Sequence, residues 1–137
     1  ELLLLAEAAR RIVAPGGVWA FWNTFPAAMA THWLYRYFPE VRENVQHWNW
    51  DAMRLFNTLS INGFSPSLTR RTYYQPITLG AALALARQRA ASSQLQQLAD
   101  DVYAARLAAL EAEAQTVGAH TLIGSQFTLI EVLATRV

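Results

Sequence analysis

The chain of 137 residues contains no cysteine and no lysine. Without cysteine there is no disulfide, no thiolate metal ligand and no cysteine nucleophile, a composition that fits a reducing cytoplasm. All eleven cationic residues are arginines, scattered as singles and two pairs rather than as a stripe, and the net charge is +1. A nucleic-acid surface is therefore not expected. Charged residues make up 15% against 53% hydrophobic, which excludes a disordered chain and suits a single packed domain over residues 1–137. The longest early apolar run, Leu2 to Ala6, is too short to span a bilayer, and no basic leader precedes a long apolar stretch. Neither a membrane span nor a signal peptide is expected. Glycine is scarce as well: the six, at 16, 17, 63, 80, 118 and 124, contain no Gly-x-Gly. The histidines at 32, 47 and 120 lack metal-ligand spacing and carboxylate company, so no metal site is expected. His32 or His47 could serve as a general base, the plainer reading being a satisfied or surface histidine. Ser125 lies in GSQF, which lacks the second glycine of a nucleophile elbow.

What is present reads as alternating helices and strands. Leu2, Leu3, Leu5, Ala6, Ala9 and Ile12 recur at helical spacing, and Pro15-Gly16-Gly17 ends that helix. Val18 to Trp22 reads as a strand apolar on both faces, the pattern of a buried parallel strand, and the only one with a central look. A helix opening at Phe25-Pro26 follows, then a short one from Glu40 to His47 and one capped by Asp51 and stopped by Gly63. Ser67 to Tyr74 is rich in Thr and Tyr and predicts a strand. Two helices come next, Thr78 to Arg89 and a longer one from Ser93 to Val117, with Gly118 as the stop. Phe127 to Ala134 predicts a last strand whose one charge is Glu131.

Three local words stand in this order: AARRIVAPGGVWAFW (8–22), LSINGF (59–64) and LIEVLATR (129–136). Together they resemble the C-terminal half of a class I S-adenosylmethionine-dependent methyltransferase. In that family a helix ends in a Pro-Gly-Gly corner and feeds the fifth strand of a seven-stranded sheet. A helix ending in Gly-Phe precedes the sixth strand, and the seventh is antiparallel and close to the C-terminus. The helical insertion at 78–117 is similar to that of small-molecule methyltransferases related to trans-aconitate methyltransferase, whose added helices help cover the acceptor pocket. The resemblance implies an α/β fold, the C-terminal part of a Rossmann-like sheet with three strands here. It also implies a cytoplasmic enzyme that moves a methyl group from S-adenosylmethionine to a small-molecule acceptor. The family's glycine-rich loop and the acidic residue that holds the cofactor's ribose have no counterpart. The chain, starting within a helix at Glu1, is therefore expected to be the acceptor-side piece of a longer enzyme, binding the cofactor poorly if at all.

Methyl transfer from a sulfonium asks the protein mainly for alignment and desolvation, so catalytic residues cannot be read from spacing. Ligands of open α/β sheets sit beyond the carboxyl ends of parallel strands, which points to Trp22, Asn23 and Thr24. Core packing for Trp22 and helix capping for the other two are the simpler roles. Arg87 and Arg89, in the insertion, could fork onto an anionic acceptor or be solvated helix residues. Tyr73, Tyr74 and Gln75 close the second strand and could line the same pocket or simply pack. Trp48 and Trp50 bracket Asn49 and could wall it, packing against the sheet being the commoner role. A non-enzymatic interaction module, using the 93–117 helix and the aromatic 33–50 region as partner surfaces, is the alternative. In the isolated piece the strand Val18 to Trp22 has lost a neighbour, so a dimer or swapped assembly is expected.

Overall fold

The computed structural model describes residues 1–48 and 50–137. Asn49 and the side chains of Gln46, His47 and Trp48 lie outside the described residues, and with them the readings of His47 as a base and of Trp48 as a pocket wall. The chain is mixed α/β. It divides into two compact units, one of Glu1–Phe25, Asn49–Thr72 and Thr128–Val137, the other of Pro26–Trp48 and Tyr73–Phe127.

The first unit begins with α1 (Leu2–Ile12), whose last turn carries Arg10 and Arg11, suited to the negative end of the helix dipole. Gly16 then adopts φ 77°, a conformation open to glycine at little cost, and its N–H donates to the Arg136 carbonyl at 2.9 Å. That corner feeds β1 (Val18–Thr24). In α4 (Ala52–Ile61) the Asp51 carboxylate accepts from the Arg54 N–H at 2.7 Å, the expected N-cap. Asn62-Gly63 ends α4 and opens β2 (Phe64–Tyr74), which starts earlier than its Thr/Tyr-rich part suggested.

The last strand, β5 (Gln126–Arg136), lies between β1 and β2. It runs antiparallel to β1, with Val18 opposite Thr135 and Thr24 opposite Leu129. The Thr72 and Thr128 hydroxyls meet at 3.1 Å, while the Val137 N–H donates to the Gly63 carbonyl at 3.1 Å, so β2 is antiparallel to β5 as well. One face of this sheet, with Ile130, Val132 and Ala134, packs on Leu2, Ala6 and Ala9 of α1 and Leu55 and Leu59 of α4. Each fully buried leucine here contributes about 1.5–3 kcal/mol.

Two sequence expectations are corrected. β1 is neither central nor parallel; it is an antiparallel edge strand. Its five leading residues are all apolar, so composition hides the alternation that the structure shows. Trp19 and Phe21 pack on the core, whereas Val18, Ala20 and Trp22 face outward. The central strand is β5, whose alternately buried Thr128, Ile130, Val132 and Ala134 give it a clear inner face.

The second unit is mainly helical. It holds α2 (Trp33–Tyr37), α3 (Pro39–Trp48), α5 (Leu79–Arg87), α6 (Ser93–Gln96) and α7 (Asp100–Val117). Where a helix was expected from Phe25-Pro26, the chain makes only a tight turn at Pro26–Ala28 before α2. The expected second insertion helix is broken, since α6 stops after Gln96 and α7 starts anew with Asp100 and Asp101 in its first turn. A two-residue ladder, β3 (Ile77–Thr78) against β4 (Leu122–Ile123), ties the two ends of the insertion together. Its core brings Leu34, Phe38 and Val41 against Leu79, Ala82, Leu95, Leu110 and Ala114. Among the described residues no helix is long and apolar enough to cross a membrane.

Candidate functional site

The segment 30–36 lines two cavities of the helical unit. Ala30, Thr31 and Arg36 join Tyr74, Gly124 and Gln126 around a cleft of about 340 Å³. Trp33 and Leu34 join Leu85, Gln88, Ala91, Ser92 and Leu95 around a smaller, mostly apolar one of about 140 Å³. Only the first reaches the lower end of the range for small-molecule sites. Its polar groups are varied. The Thr31 hydroxyl donates to the Gln126 side-chain oxygen at 3.3 Å. The Arg36 guanidinium is 3.8 Å from a Glu113 carboxylate oxygen and 5.3 Å above the Tyr37 ring, a loose pairing that leaves donors available. Gly124 admits Tyr74 closely, since a Cβ there would stand 3.3 Å from the phenol oxygen.

Local sequence places this segment. The buried Ser125 hydroxyl accepts from the Trp33 N–H at 3.3 Å, satisfying one donor at the start of α2. His32 immediately precedes that helix, and rings of Trp33, Tyr35 and Phe127 surround it at 6.0, 5.4 and 5.8 Å. Its Nδ1 is buried and finds no hydrogen-bond partner among the described residues. Burial holds the imidazole below its ordinary pKa of 6.5, keeping it neutral near pH 7. Burial likewise pushes the Tyr35 phenol up, so it remains a donor.

The residues singled out in the sequence are distributed as follows. Trp22 projects from the outer face of β1, 65% exposed. The Asn23 side-chain amide donates to the Trp50 carbonyl at 2.9 Å, and Thr24 ends β1. In the helical unit, Tyr73 and Gln75 are exposed beside Tyr74, and the Gln75 N–H donates to the Ser125 carbonyl at 2.7 Å. Arg87 pairs with Glu111 at 2.8 Å on the surface of α5 and α7. The Arg89 guanidinium is engaged: it donates to the Leu95 carbonyl at 3.2 Å, to the Leu98 carbonyl and to Asp100 at 2.6 Å, and lies 4.6 Å over the Tyr103 ring. That clamp spans the break between α6 and α7.

None of Tyr73, Gln75, Arg87 and Arg89 lines the 340 Å³ cleft; Tyr74, weighed with Tyr73, does. Sequence reasoning missed Thr31, Arg36 and Gln126. Arg36 had one signal, being the lone charge in the aromatic run WLYRYF. No group of three or more His, Asp or Glu among the described residues is arranged to hold a metal ion. No protein-family model matches the chain, and no curated protein matches it.

Proposed function

We propose that this chain is the acceptor-side portion of a class I S-adenosylmethionine-dependent, cytoplasmic small-molecule methyltransferase, with the acceptor in the cleft of Thr31, Arg36, Tyr74 and Gln126. The seven-stranded Rossmann-like sheet, of which β1, β2 and β5 would be the last part, belongs to the same proposal. One observation carries the reading: the three family-like words fall on matching joints. The Pro-Gly-Gly corner connects α1 to β1, Gly63-Phe64 connects α4 to β2, and the last strand runs antiparallel to β1 after a helical segment.

The residues present do not fit S-adenosylmethionine itself. The one glycine pair has its N–H groups engaged, Gly16 with the Arg136 carbonyl and Gly17 with the Ala14 carbonyl, and no glycine loop follows a strand. The chain's own part is to bind and orient the acceptor. Arg36 supplies charge-assisted donors, Tyr74 a phenol and Gln126 an amide.

Calorimetric titration of the 137-residue chain with S-adenosylmethionine is expected to show no micromolar binding; micromolar binding would overturn the acceptor-side assignment. In a metabolite panel, the best ligand is expected to lose about tenfold or more in affinity on Arg36→Ala. A ligand indifferent to that change refutes the cleft. The coding sequence upstream of Glu1 separates this reading from a non-enzymatic interaction module, since a glycine-rich first strand and loop are expected there. The module reading draws support from the apolar surface of α1 and β1, not from α7, whose Leu110 and Ala114 are buried.

A further inference from the structure

The inner face of the sheet in the first unit is built in rows. The β1–β5 register sets Trp19 beside Ala134, Phe21 beside Val132 and Asn23 beside Ile130. Thr72 meets Thr128 and Gly63 meets Val137, one continuous register that sets Leu68 beside Val132 and Arg70 beside Ile130. The rows are thus Trp19, Ala134 and Pro66, then Phe21, Val132 and Leu68, then Asn23, Ile130 and Arg70. The third flanks a buried isoleucine with an amide and a cation. The amide is satisfied, since Asn23 donates to the Trp50 carbonyl at 2.9 Å. The cation is not: among the described residues no carboxylate or carbonyl engages the Arg70 guanidinium. Its sequence neighbour Arg71 belongs to the opposite face, where it pairs with Glu131.

Arg70 also lines a cavity. Phe25, Ala52, Leu68 and Ile130 form the other walls of an open pocket of about 260 Å³. It exists because the helical layer stops short of the sheet. Leu55 and Leu59 of α4 cover the apolar rows, but α4 begins at Ala52, whose methyl group leaves the third row partly uncovered. Phe25 and Leu68 pack against the core below, so the pocket floor continues that core. An uncompensated arginine beside wet apolar walls is an incomplete arrangement. A ligand improves both parts at once: its apolar body displaces water from the walls, and its carboxylate takes two guanidinium donors.

We propose that this pocket binds a monocarboxylate with a compact apolar body of benzoate's size, its ring against Phe25, Leu68 and Ile130 and its carboxylate on the Arg70 fork. One cation matches one negative charge, which favours a carboxylate over a phosphate dianion. The volume, just under the usual range of small-molecule sites, selects against extended ligands. Every wall belongs to the first unit, and the pocket shares no residue with the cleft of Thr31 and Arg36. The inference does not depend on the acceptor reading and is compatible with it. Arg70 lies on β2, at the side of the sheet away from β1, so a strand added beside β1 would stand about 14 Å from β2.

The test is a proton–nitrogen NMR titration of the chain with sodium benzoate to about 20 mM, a range suited to so small a ligand. Saturable shifts are expected at the amides of Ala52, Leu68, Arg70 and Ile130, with a Kd on the order of 1 mM. Benzamide has the shape without the charge, and inorganic phosphate the charge without the apolar body. Each is expected to bind at least about tenfold more weakly. Arg70→Gln is expected to lose about tenfold or more in benzoate affinity, whereas Arg71→Gln and Arg36→Ala keep it. Ala52→Trp, which fills the pocket from the exposed start of α4, is expected to abolish binding with Arg70 in place. No saturable shift at these residues overturns the proposal. So does benzamide or phosphate binding as tightly as benzoate, or an affinity that survives both Arg70→Gln and Ala52→Trp. Loss on Arg36→Ala alone would put benzoate in the other cleft, refuting this site while supporting the acceptor reading.

Discussion

The two units solve the burial problem in different ways. The helical unit encloses most of its large apolar side chains and binds its surface with arginine pairs: Arg36 with Glu113, Arg87 with Glu111, Arg89 with Asp100 and Arg106 with Glu40. Among the described residues the sheet unit shows one pair, Arg71 with Glu131, and it carries most of the large exposed apolar residues, from Leu3, Leu4 and Ile12 to Val18, Trp22, Met53, Phe56 and Ile61. Exposed ion pairs add little stability each. The contrast therefore concerns completeness: one unit has a closed core, and the other has apolar surface left over on α1, β1 and α4.

The sharpest way to break this comparison is to cut into each surface. Leu110→Ala, at a fully buried position of the helical core, is expected to cost about 2–5 kcal/mol in urea denaturation. Leu4→Ala, on the outer side of α1, should stay within about 0.5 kcal/mol for the monomer. Similar losses at both sites would mean that α1 is covered in the monomer after all.

A smaller effect is expected at the α6–α7 break. Arg89→Ala removes the donors to the Leu95 and Leu98 carbonyls and the stack on Tyr103, and should cost about 1–3 kcal/mol. Arg89→Lys should recover little, because an ammonium cannot reproduce the planar fork. Full recovery by lysine would show that charge alone matters there.

The smallest effects come from pH. His32 has a folded pKa below its ordinary 6.5, so the unfolded chain takes up the proton first. Stability should be full above that value and decline as pH falls from it toward the depressed folded pKa. His32→Phe should flatten this part of the profile in thermal melts. Glu40 behaves separately. Its hydrogen bond to Arg106 holds the carboxyl below its ordinary 4.5, so its contribution is present above that range and lost as pH falls through the depressed value. As this pair is partly exposed, Glu40→Gln should cost no more than about 1 kcal/mol. A slope between pH 7 and 5 that survives His32→Phe would place the titrating group elsewhere.

Much of the fold was legible because it rests on local chemistry. Helical spacing marked α1, Pro15 and Gly16 marked its corner, Asp51 its cap on α4, and Gly118 the end of α7. What escaped notice lacks a local signal. A two-residue ladder such as β3–β4 has no period to detect. The break after Gln96 lies within a stretch whose apolar residues keep helical spacing. Of the cleft, Tyr74 could be suspected at a strand end, whereas Thr31 and Gln126 are ordinary polar residues until the chain brings them within 3.3 Å. His32 is a similar case, since a nitrogen is orphaned only by what surrounds it.

The sequence alone therefore determined the main helices and strands, their order and several of their stops, because those follow from dihedral preferences and from side-chain spacing along one segment. Tertiary structure alone decided that β5, not β1, is the middle strand, and that Arg89 clamps a helix break while Arg36 faces a cleft. Each of these depends on which distant segments become neighbours, and in VWAFW every residue is apolar. Which of them faces inward is set by pairing with β5, from residues more than a hundred positions away.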